Sequence, residues 1–85
     1  MASYTESQVS VLFREGAIKQ VQAVAFAGKW RLLFFTETMQ VTLIAEKSKM
    51  PRNFASLDTV ASWLRERLGN VKFYVDMTYW AGLPA

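Results

Sequence analysis

The side chains that could carry out acid–base or metal chemistry are few in this 85-residue sequence. It has no histidine and no cysteine, so it lacks the commonest general base near neutral pH, the commonest metal ligand and any thiol nucleophile. Its four glycines stand apart and form no phosphate-binding loop. No two of its seven carboxylates have a spacing that pairs them as acid and base or groups them around a metal. The sequence therefore predicts a protein that is not an enzyme and that holds neither a metal nor a cofactor.

Aromatic and cationic side chains could serve a different chemistry, the binding of nucleic acid. Aromatic residues make up 14% of the chain, and ten Lys and Arg against seven Asp and Glu give a net charge of +3. Aromatic rings on a sheet stack with bases, while neighbouring cations pair with phosphates. The candidate nucleic-acid-binding residues are Lys29, Trp30, Arg31, Lys47, Lys49, Arg52, Lys72 and Tyr74. The same residues fit another role, in which the rings belong to the core or to a dimer interface and the lysines protect a sheet edge.

Alternating patterns predict five strands that would carry these side chains. Apolar and polar residues alternate, or β-branched and aromatic residues cluster, in four segments before a helix and in one after it. The predicted strands cover residues 8–14, 17–27, 30–36, 40–46 and 71–77. Gly28 falls between the second and the third, where a hairpin turn is expected. Short links between consecutive strands predict an antiparallel meander.

One helix is predicted after a polar loop at residues 46–53, which contains Pro51. Ser56 is suited to cap the start of this helix, and Gly69 is suited to end it. Asp58 in the first turn complements the helix dipole. Between the caps, an apolar stripe with helical spacing consists of Leu57, Val60, Ala61, Leu64 and Leu68. Such a stripe packs on one face of a sheet.

The element order β-β-β-β-α-β predicts an α+β fold with two layers, an antiparallel sheet of about five strands with one helix packed on one face. A single helix, about 10 Å wide, leaves the other face of the sheet uncovered. Residues 30–35 are nevertheless apolar on both faces. An exposed apolar patch of roughly several hundred Å² is typical of an interface. The candidate dimer or partner interface consists of Val24, Phe26, Leu33, Phe35, Ile44 and Trp80, with Leu12 predicted on the same face.

The chain is predicted to hold a single domain at residues 8–80, between a flexible N-terminal tail at 1–7 and a C-terminal tail at 81–85. A location in the cytoplasm is expected for three reasons. No apolar run reaches the ~18 residues needed to cross a bilayer. The N-terminus lacks the basic start and apolar core of a secretory signal. The absence of cysteine fits a reducing compartment.

Two segments, GKWRLLFFTE and RNFASLDTVASWLRERLGNVKFYVD, resemble the small ParC-like partition-associated proteins of bacterial plasmids and integrated elements. The shared pattern is an aromatic, a Ser-Leu-Asp start, a short amphipathic helix, a glycine and a closing strand. In this sequence it comprises Phe54, Ser56, Leu57, Asp58, Trp63, Leu64, Gly69 and residues 73–76. The resemblance covers about half of the chain and transfers no catalytic residue. It implies an accessory protein of a bacterial mobile element that acts near DNA.

Four antiparallel strands followed by a helix are also similar to the Whirly and transcriptional-coactivator group, whose members bind single-stranded DNA as dimers. This is an analogy of fold alone, and the strand predicted after the helix departs from it.

Two functions follow from these patterns, together with a third that depends on a cavity. The first is a non-enzymatic homodimeric accessory protein that contacts nucleic acid, with single-stranded DNA as one candidate ligand, in plasmid or mobile-element maintenance. The second is a protein–protein interaction or assembly module that uses the uncovered apolar sheet face and binds no nucleic acid. The third, a small enzyme or ligand carrier, requires a cavity between helix and sheet.

Overall fold

Five strands form one mixed sheet, and two helices pack on a single face of it, in the computed structural model, which describes residues 2–80. The elements are β1 (Ala2–Tyr4), α1 (Glu6–Arg14), β2 (Gln20–Phe26), β3 (Lys29–Phe35), β4 (Gln40–Leu43), α2 (Leu57–Leu68) and β5 (Tyr74–Asp76). The strand order across the sheet is β1-β4-β3-β2-β5.

The α+β class and the five-stranded sheet are as predicted, but the prediction of a purely antiparallel sheet is wrong. The central meander of β2, β3 and β4 is antiparallel. The two outer strands are parallel to their neighbours, β1 to β4 and β5 to β2. Parallel neighbours need long crossover connections, and the segments containing α1 and α2 supply them.

The first predicted strand is wrong because residues 8–14 belong to the helix α1. The Gln8 side-chain oxygen accepts a hydrogen bond of 2.9 Å from the Thr5 backbone N–H, which is half of a capping box at the helix start. Val9 is fully buried, and Leu12 and Phe13 pack against the core. These three residues have the spacing i, i+3, i+4 of one helix face. The segment therefore contains two patterns. Val9, Val11 and Phe13 alternate as in a strand, whereas Val9, Leu12 and Phe13 have the helical spacing that the structure shows.

The N-terminal segment, predicted to belong to a flexible tail, contributes the edge strand β1. The Ile44 backbone N–H donates a 2.9 Å hydrogen bond to the Tyr4 carbonyl. The Ser7 hydroxyl donates to a Glu46 carboxylate oxygen at 3.0 Å. The start of the chain is thus attached to β4 and to the loop that follows it. The predicted C-terminal tail at residues 81–85 lies outside the described residues.

The helix α2 has the ends that the sequence predicts. The Ser56 hydroxyl accepts a hydrogen bond of 3.1 Å from the Thr59 backbone N–H. Gly69 ends the helix with a φ of 88°, a left-handed value that glycine adopts readily. Both signals are local, because each involves residues within one helical turn.

The buried stripe of α2 is rotated slightly from the predicted one. Val60, Leu64 and Leu68 are buried as expected, whereas Ala61 is exposed and Trp63 is buried in its place. The Trp63 ring packs edge-to-face on Phe54, with ring centroids 5.9 Å apart. The helix α2 therefore packs on the loop that precedes it as well as on α1 and the sheet, and its buried side includes Trp63, which faces this loop.

The hydrophobic core lies between the two helices and one face of the sheet. The strand residues of this core are Val21, Ala23, Ala25, Trp30, Leu32, Phe34, Val41 and Leu43. Their partners across the strands point to the same side, since Val21 pairs with Phe34 and Phe34 pairs with Val41. Strand residues of the opposite parity form the surface that we call the open face: Ser3, Gln20, Gln22, Val24, Phe26, Lys29, Arg31, Leu33, Phe35, Gln40, Thr42, Tyr74 and Asp76. Neither described helix packs on the open face.

The turn between β2 and β3 offers a test of the hairpin. Phe26 pairs with Lys29, so only Ala27 and Gly28 form the turn, and both have positive φ, 52° and 76°. This is the backbone of a type I′ turn, in which asparagine is preferred over alanine at the first position. We expect Ala27→Asn to raise the free energy of unfolding by about 1 kcal/mol, because alanine is strained in the left-handed region. Urea denaturation followed by circular dichroism measures the change. Ala55→Asn, at an exposed site without a positive φ, is the control and should have almost no effect.

Candidate functional site

The open face presents an ordered row of side chains that crosses the whole sheet. Registered pairs connect Ser3 to Thr42, Thr42 to Leu33, Leu33 to Gln22, and Gln22 to Tyr74. With strands about 4.8 Å apart, this row is about 19 Å long. Such a surface is large enough for several nucleotides or for the face of another protein.

An apolar patch, formed by Val24, Leu33 and Phe35, extends from the middle of the open face to the last residue of β3 and is bordered by amides. Val24, Leu33 and Phe35 are only partly buried. Phe35 pairs with Gln20 on one side and with Gln40 on the other. The sequence reasoning missed these glutamines as site residues. Gln20 and Gln22 lie on the same face of β2 as Val24. Because glutamine is rarely buried in a core, these two residues indicate in the sequence which face of the sheet is uncovered.

Cations of the open face lie at the end of the sheet where the β2–β3 hairpin turns. Arg31 extends over Phe26, with its guanidinium carbon 4.1 Å from the ring centroid, and its Nε donates to the Asn53 side-chain oxygen at 3.1 Å. These contacts fix the guanidinium on the open face. Lys29, two residues earlier on the same strand, is exposed. The sequence analysis named both residues, together with Trp30, as candidate nucleic-acid-binding residues, and the structure puts Lys29 and Arg31 on the open face.

One carboxylate, Asp76, shares the open face with these two cations. It lies on the edge strand β5 opposite Val24, and Val24 is opposite Arg31. The Thr78 hydroxyl and the Thr78 backbone N–H stabilise the ionised carboxylate and lower the pKa of Asp76. The backbone N–H lies 2.9 Å from Asp76 Oδ1. The charged strand residues of the open face therefore give it a small positive balance, two cations against one anion.

Two aromatic rings of the open face are free to stack on a ligand. Tyr74 on β5 is 50% exposed. Phe35 on β3 is partly exposed. Two strand spacings and two residue rises put these side chains about 12 Å apart. Lys72, also exposed, precedes Tyr74 by two residues. The open face thus combines rings, cations and amides, as the hypothesis of nucleic-acid binding requires.

Trp30 is not on the open face, contrary to its predicted role as a stacking residue. It is 4% exposed and lies on the core side of β3. Its ring stacks on Trp80, with centroids 5.0 Å apart and planes 18° apart. Trp80, a predicted interface residue, is 38% exposed and docks within its own chain. This pair closes the end of the core next to the β2–β3 hairpin.

Arg52, a predicted nucleic-acid-binding residue, contacts a carboxylate and two aromatic rings of its own chain. Its Nη1 is 3.9 Å from a Glu6 carboxylate oxygen, and Arg67 forms an ion pair with the same carboxylate. The Arg52 guanidinium also lies 5.1 Å from the Phe54 ring centroid and 5.7 Å from that of Trp63. Arg52 therefore joins the loop to the helical layer, on the side of the sheet away from the open face.

The two loop lysines, Lys47 and Lys49, are exposed on the connection between β4 and α2. Backbone hydrogen bonds close this loop, from the Lys49 N–H to the Ala45 carbonyl at 3.0 Å and from the Ala45 N–H to the Met50 carbonyl at 2.9 Å. Neither lysine belongs to a strand of the open face. Ile44, a predicted interface residue, is buried beside this loop and forms a bridge with Pro51. Of the six predicted interface residues, Val24, Phe26, Leu33 and Phe35 are on the open face.

The layer between the helices and the sheet, where an enzyme or carrier would need a cavity, contains Leu32, Phe34, Leu43 and Leu64, which are fully buried or nearly so. A cleft of about 440 Å³ lies beside the β3–β4 turn. Two of its lining residues form an ion pair there, with Lys19 Nζ 3.9 Å from Glu37 Oε1. Among residues 2–80, no group of three or more histidine, cysteine, aspartate or glutamate side chains could hold a metal ion. The part of the chain that the structure describes has no helix long and apolar enough to cross a membrane.

No protein-family model matches this chain, and a search of curated proteins gives no match. The resemblance to ParC-like partition proteins therefore stays a hypothesis that depends on the residues quoted for it.

Proposed function

We propose that this protein is a non-enzymatic binding module that holds single-stranded nucleic acid on its open face. One observation carries the proposal: a sheet face that neither helix covers, and that combines Tyr74 and Phe35 with the cations Lys29 and Arg31. Flat aromatic surfaces stack with unpaired bases whatever their identity, and cations beside them pair with the phosphates. The amides of Gln20, Gln22 and Gln40 add donors and acceptors for base edges.

The arrangement of the charges supports an extended strand as the ligand rather than a duplex. Lys29 and Arg31 lie at one end of the open face, while Phe35 lies at the other end of the same strand. Their distance along β3 is about 13 to 20 Å. A single strand can cross this distance with its phosphates near the cations and an unstacked base on the ring. In a duplex the bases are stacked on one another, so the rings of a flat face cannot reach them.

The biological setting that we propose is that of a homodimeric accessory protein in plasmid or mobile-element maintenance, acting in the bacterial cytoplasm. The ParC-like pattern of residues 54–76 supports this setting, and the folded α2 and β5 in the structure are compatible with it.

The apolar patch of the open face supports the second function, a protein–protein interaction module. Val24, Leu33 and Phe35 form a patch bordered by glutamines, a composition that also suits the centre of a protein–protein interface. In that case the occupant of the open face is a partner protein, and the cations at its end contribute little to the affinity.

Titration of a labelled single-stranded oligonucleotide of about 12 nucleotides, followed by fluorescence anisotropy, tests the first function. With two or three phosphates neutralised, raising the salt fourfold should weaken binding roughly tenfold, because counterions are released on binding. A duplex of the same sequence is the matched control and should bind more weakly at both salt concentrations. Absence of binding to the single strand at low salt would eliminate nucleic acid as the ligand.

A further inference from the structure

Among the described residues, 2–80, the strand β5 is at the edge of the sheet and has a strand partner on one side only. It pairs with β2 and is the last strand in the sheet order. Edge strands of this kind expose backbone N–H and C=O groups, and proteins usually protect them with inward-pointing charges, prolines or bulges. The strand β5 contains no proline, and its Tyr74 and Val75 are 50% and 44% exposed. Met77, just after the strand, is exposed as well. The charges near the two ends of β5, Lys72 and Asp76, have opposite signs, so they can pair with those of a second strand. This edge is therefore suited to pairing with another strand.

The sequence of this edge, KFYVD at residues 72–76, is complementary to itself when it is reversed. In an antiparallel pair centred on Tyr74, the Lys72 of each copy is opposite Asp76 of the other, and Phe73 is opposite Val75. Tyr74 and Asp76 are both on the open face, and alternation along the extended chain puts Lys72 on the same side. Opposite charges and aromatic pairs that face each other across strands are the contacts that stabilise antiparallel pairing.

We infer that a second copy of this chain docks on the free edge of β5, antiparallel and with Tyr74 opposite Tyr74. Two Lys72–Asp76 pairs then flank the two-fold axis. The Asp76 carboxylate is held in place for this contact, because the Thr78 backbone N–H donates to its Oδ1 at 2.9 Å. The opposite edge of the sheet is not equivalent. In β1, Ala2 and Tyr4 pack against the core and Ser3 is the remaining strand residue, so no charged pair is available there.

This dimer deepens the homodimer part of the proposed function by naming its surface. Two five-stranded sheets would join into one of ten strands, and the two open faces would become a continuous surface with a pair of tyrosines at its centre. Lys72 is then a dimer residue, and the phosphate contacts are left to Lys29 and Arg31. The open face itself stays free for a ligand, which a dimer formed by stacking two open faces would not allow.

Sedimentation velocity without nucleic acid tests the dimer, over concentrations from about 5 µM to about 500 µM because a three-residue edge gives a weak interface. The unmodified protein should shift from monomer to dimer. Lys72→Asp and Asp76→Lys should each weaken self-association roughly tenfold or more, because each one sets like charges opposite each other twice. An equal mixture of the two variants restores opposite charges in both pairs and should form a heterodimer about as readily as the unmodified protein dimerises. A monomeric unmodified protein, or a mixture that associates no better than its components, overturns the inference.

A cross-linking experiment tests the register. The chain has no cysteine, so Tyr74→Cys creates a single thiol that meets its own copy only at the two-fold axis. Residues directly opposite in an antiparallel pair are close enough for a disulfide. Mild oxidation should convert most of the Tyr74→Cys variant into a covalent dimer. Lys47→Cys, at an exposed site on the loop after β4, should give little. Equal yields from the two variants would contradict the register. Because neither experiment contains an oligonucleotide, failure of the dimer and failure of nucleic-acid binding are separate results.

Discussion

Replacing Phe34 with alanine should lower the free energy of unfolding by about 4 kcal/mol. Phe34 is fully buried on the core side of β3, between Val21 and Val41 of the neighbouring strands. Removing its ring loses the transfer free energy of the aromatic carbons and leaves a cavity that the close-packed layer can fill only in part. For a domain of this size, total stability is of the order of 5–10 kcal/mol, so the variant should be close to unfolding at 37 °C.

Phe35→Ala is the matched control, because it removes the same ring from the next residue of the same strand. Phe35 is on the open face and is only partly buried, so the expected loss is about 1 kcal/mol. Urea denaturation monitored by circular dichroism compares the two variants under the same conditions. Equal losses, or a larger loss at Phe35, would mean that the helices cover the other face of the sheet, and the open face as defined above would not exist.

The same pair of residues illustrates what the sequence could predict. Residues 32–35 of β3 are apolar on both faces, so the strand itself was predictable, but its buried side could not be read from these residues alone. The neighbouring strand carries the missing signal. Gln20 and Gln22 mark the solvent side of β2, and the two-residue turn fixes Phe26 opposite Lys29. In that register, Arg31, Leu33 and Phe35 lie on the same face of the sheet as Gln20 and Gln22. The sequence therefore contains enough local information to predict which face of β3 the helices leave uncovered.

Elements with local signals were predicted, and those that depend on distant partners were not. The helix α2 has its cap at Ser56 and its end at Gly69, both visible in the sequence. The strand β1 is three residues long and exists because of its pairing with β4, about forty residues further along the chain. Nothing in ASY alone distinguishes such a strand from a loose end. The helix α1 was missed because Val9 and Phe13, four residues apart, lie on one face in a strand as well as in a helix. Thr5 and Gln8 have the spacing of a capping box and indicate a helix start.

The sequence also predicted part of the surface on which the candidate site is built. Lys29, Arg31 and Tyr74 were chosen as candidate nucleic-acid-binding residues, and the structure puts all three on the open face. Trp30 was chosen for its ring, and the ring is buried because it shares the parity of Leu32 and Phe34. Arg52 was chosen for its charge, and that charge is engaged by Glu6, a residue of the helix that the sequence analysis did not predict. The contact between Arg52 and Glu6 could therefore not be predicted without the helix α1.

Reversing both cations of the open face should nearly abolish binding of a single-stranded oligonucleotide. In the variant Lys29→Glu/Arg31→Glu, two phosphate contacts are lost and two carboxylates repel the backbone, so the affinity at low salt should fall roughly 100-fold. The salt dependence should become shallower, because fewer counterions are released. Fluorescence anisotropy measures both quantities, and circular dichroism checks that the variant is folded. Tyr74 and Phe35 remain in place, so the experiment separates the phosphate contacts from the stacking.

The control for this prediction changes the net charge equally but leaves the open face intact. Lys47→Glu/Lys49→Glu also takes the net charge of the chain from +3 to −1. Because these lysines are on the loop after β4 and not on a strand of the open face, only the overall field changes, and the affinity should fall no more than a few-fold. Equal losses in the two variants would mean that the oligonucleotide responds to net charge and has no defined site. If neither variant affects association, and Phe35→Glu abolishes capture of a partner protein instead, the apolar patch of Val24, Leu33 and Phe35 is the functional surface and the protein is an assembly module.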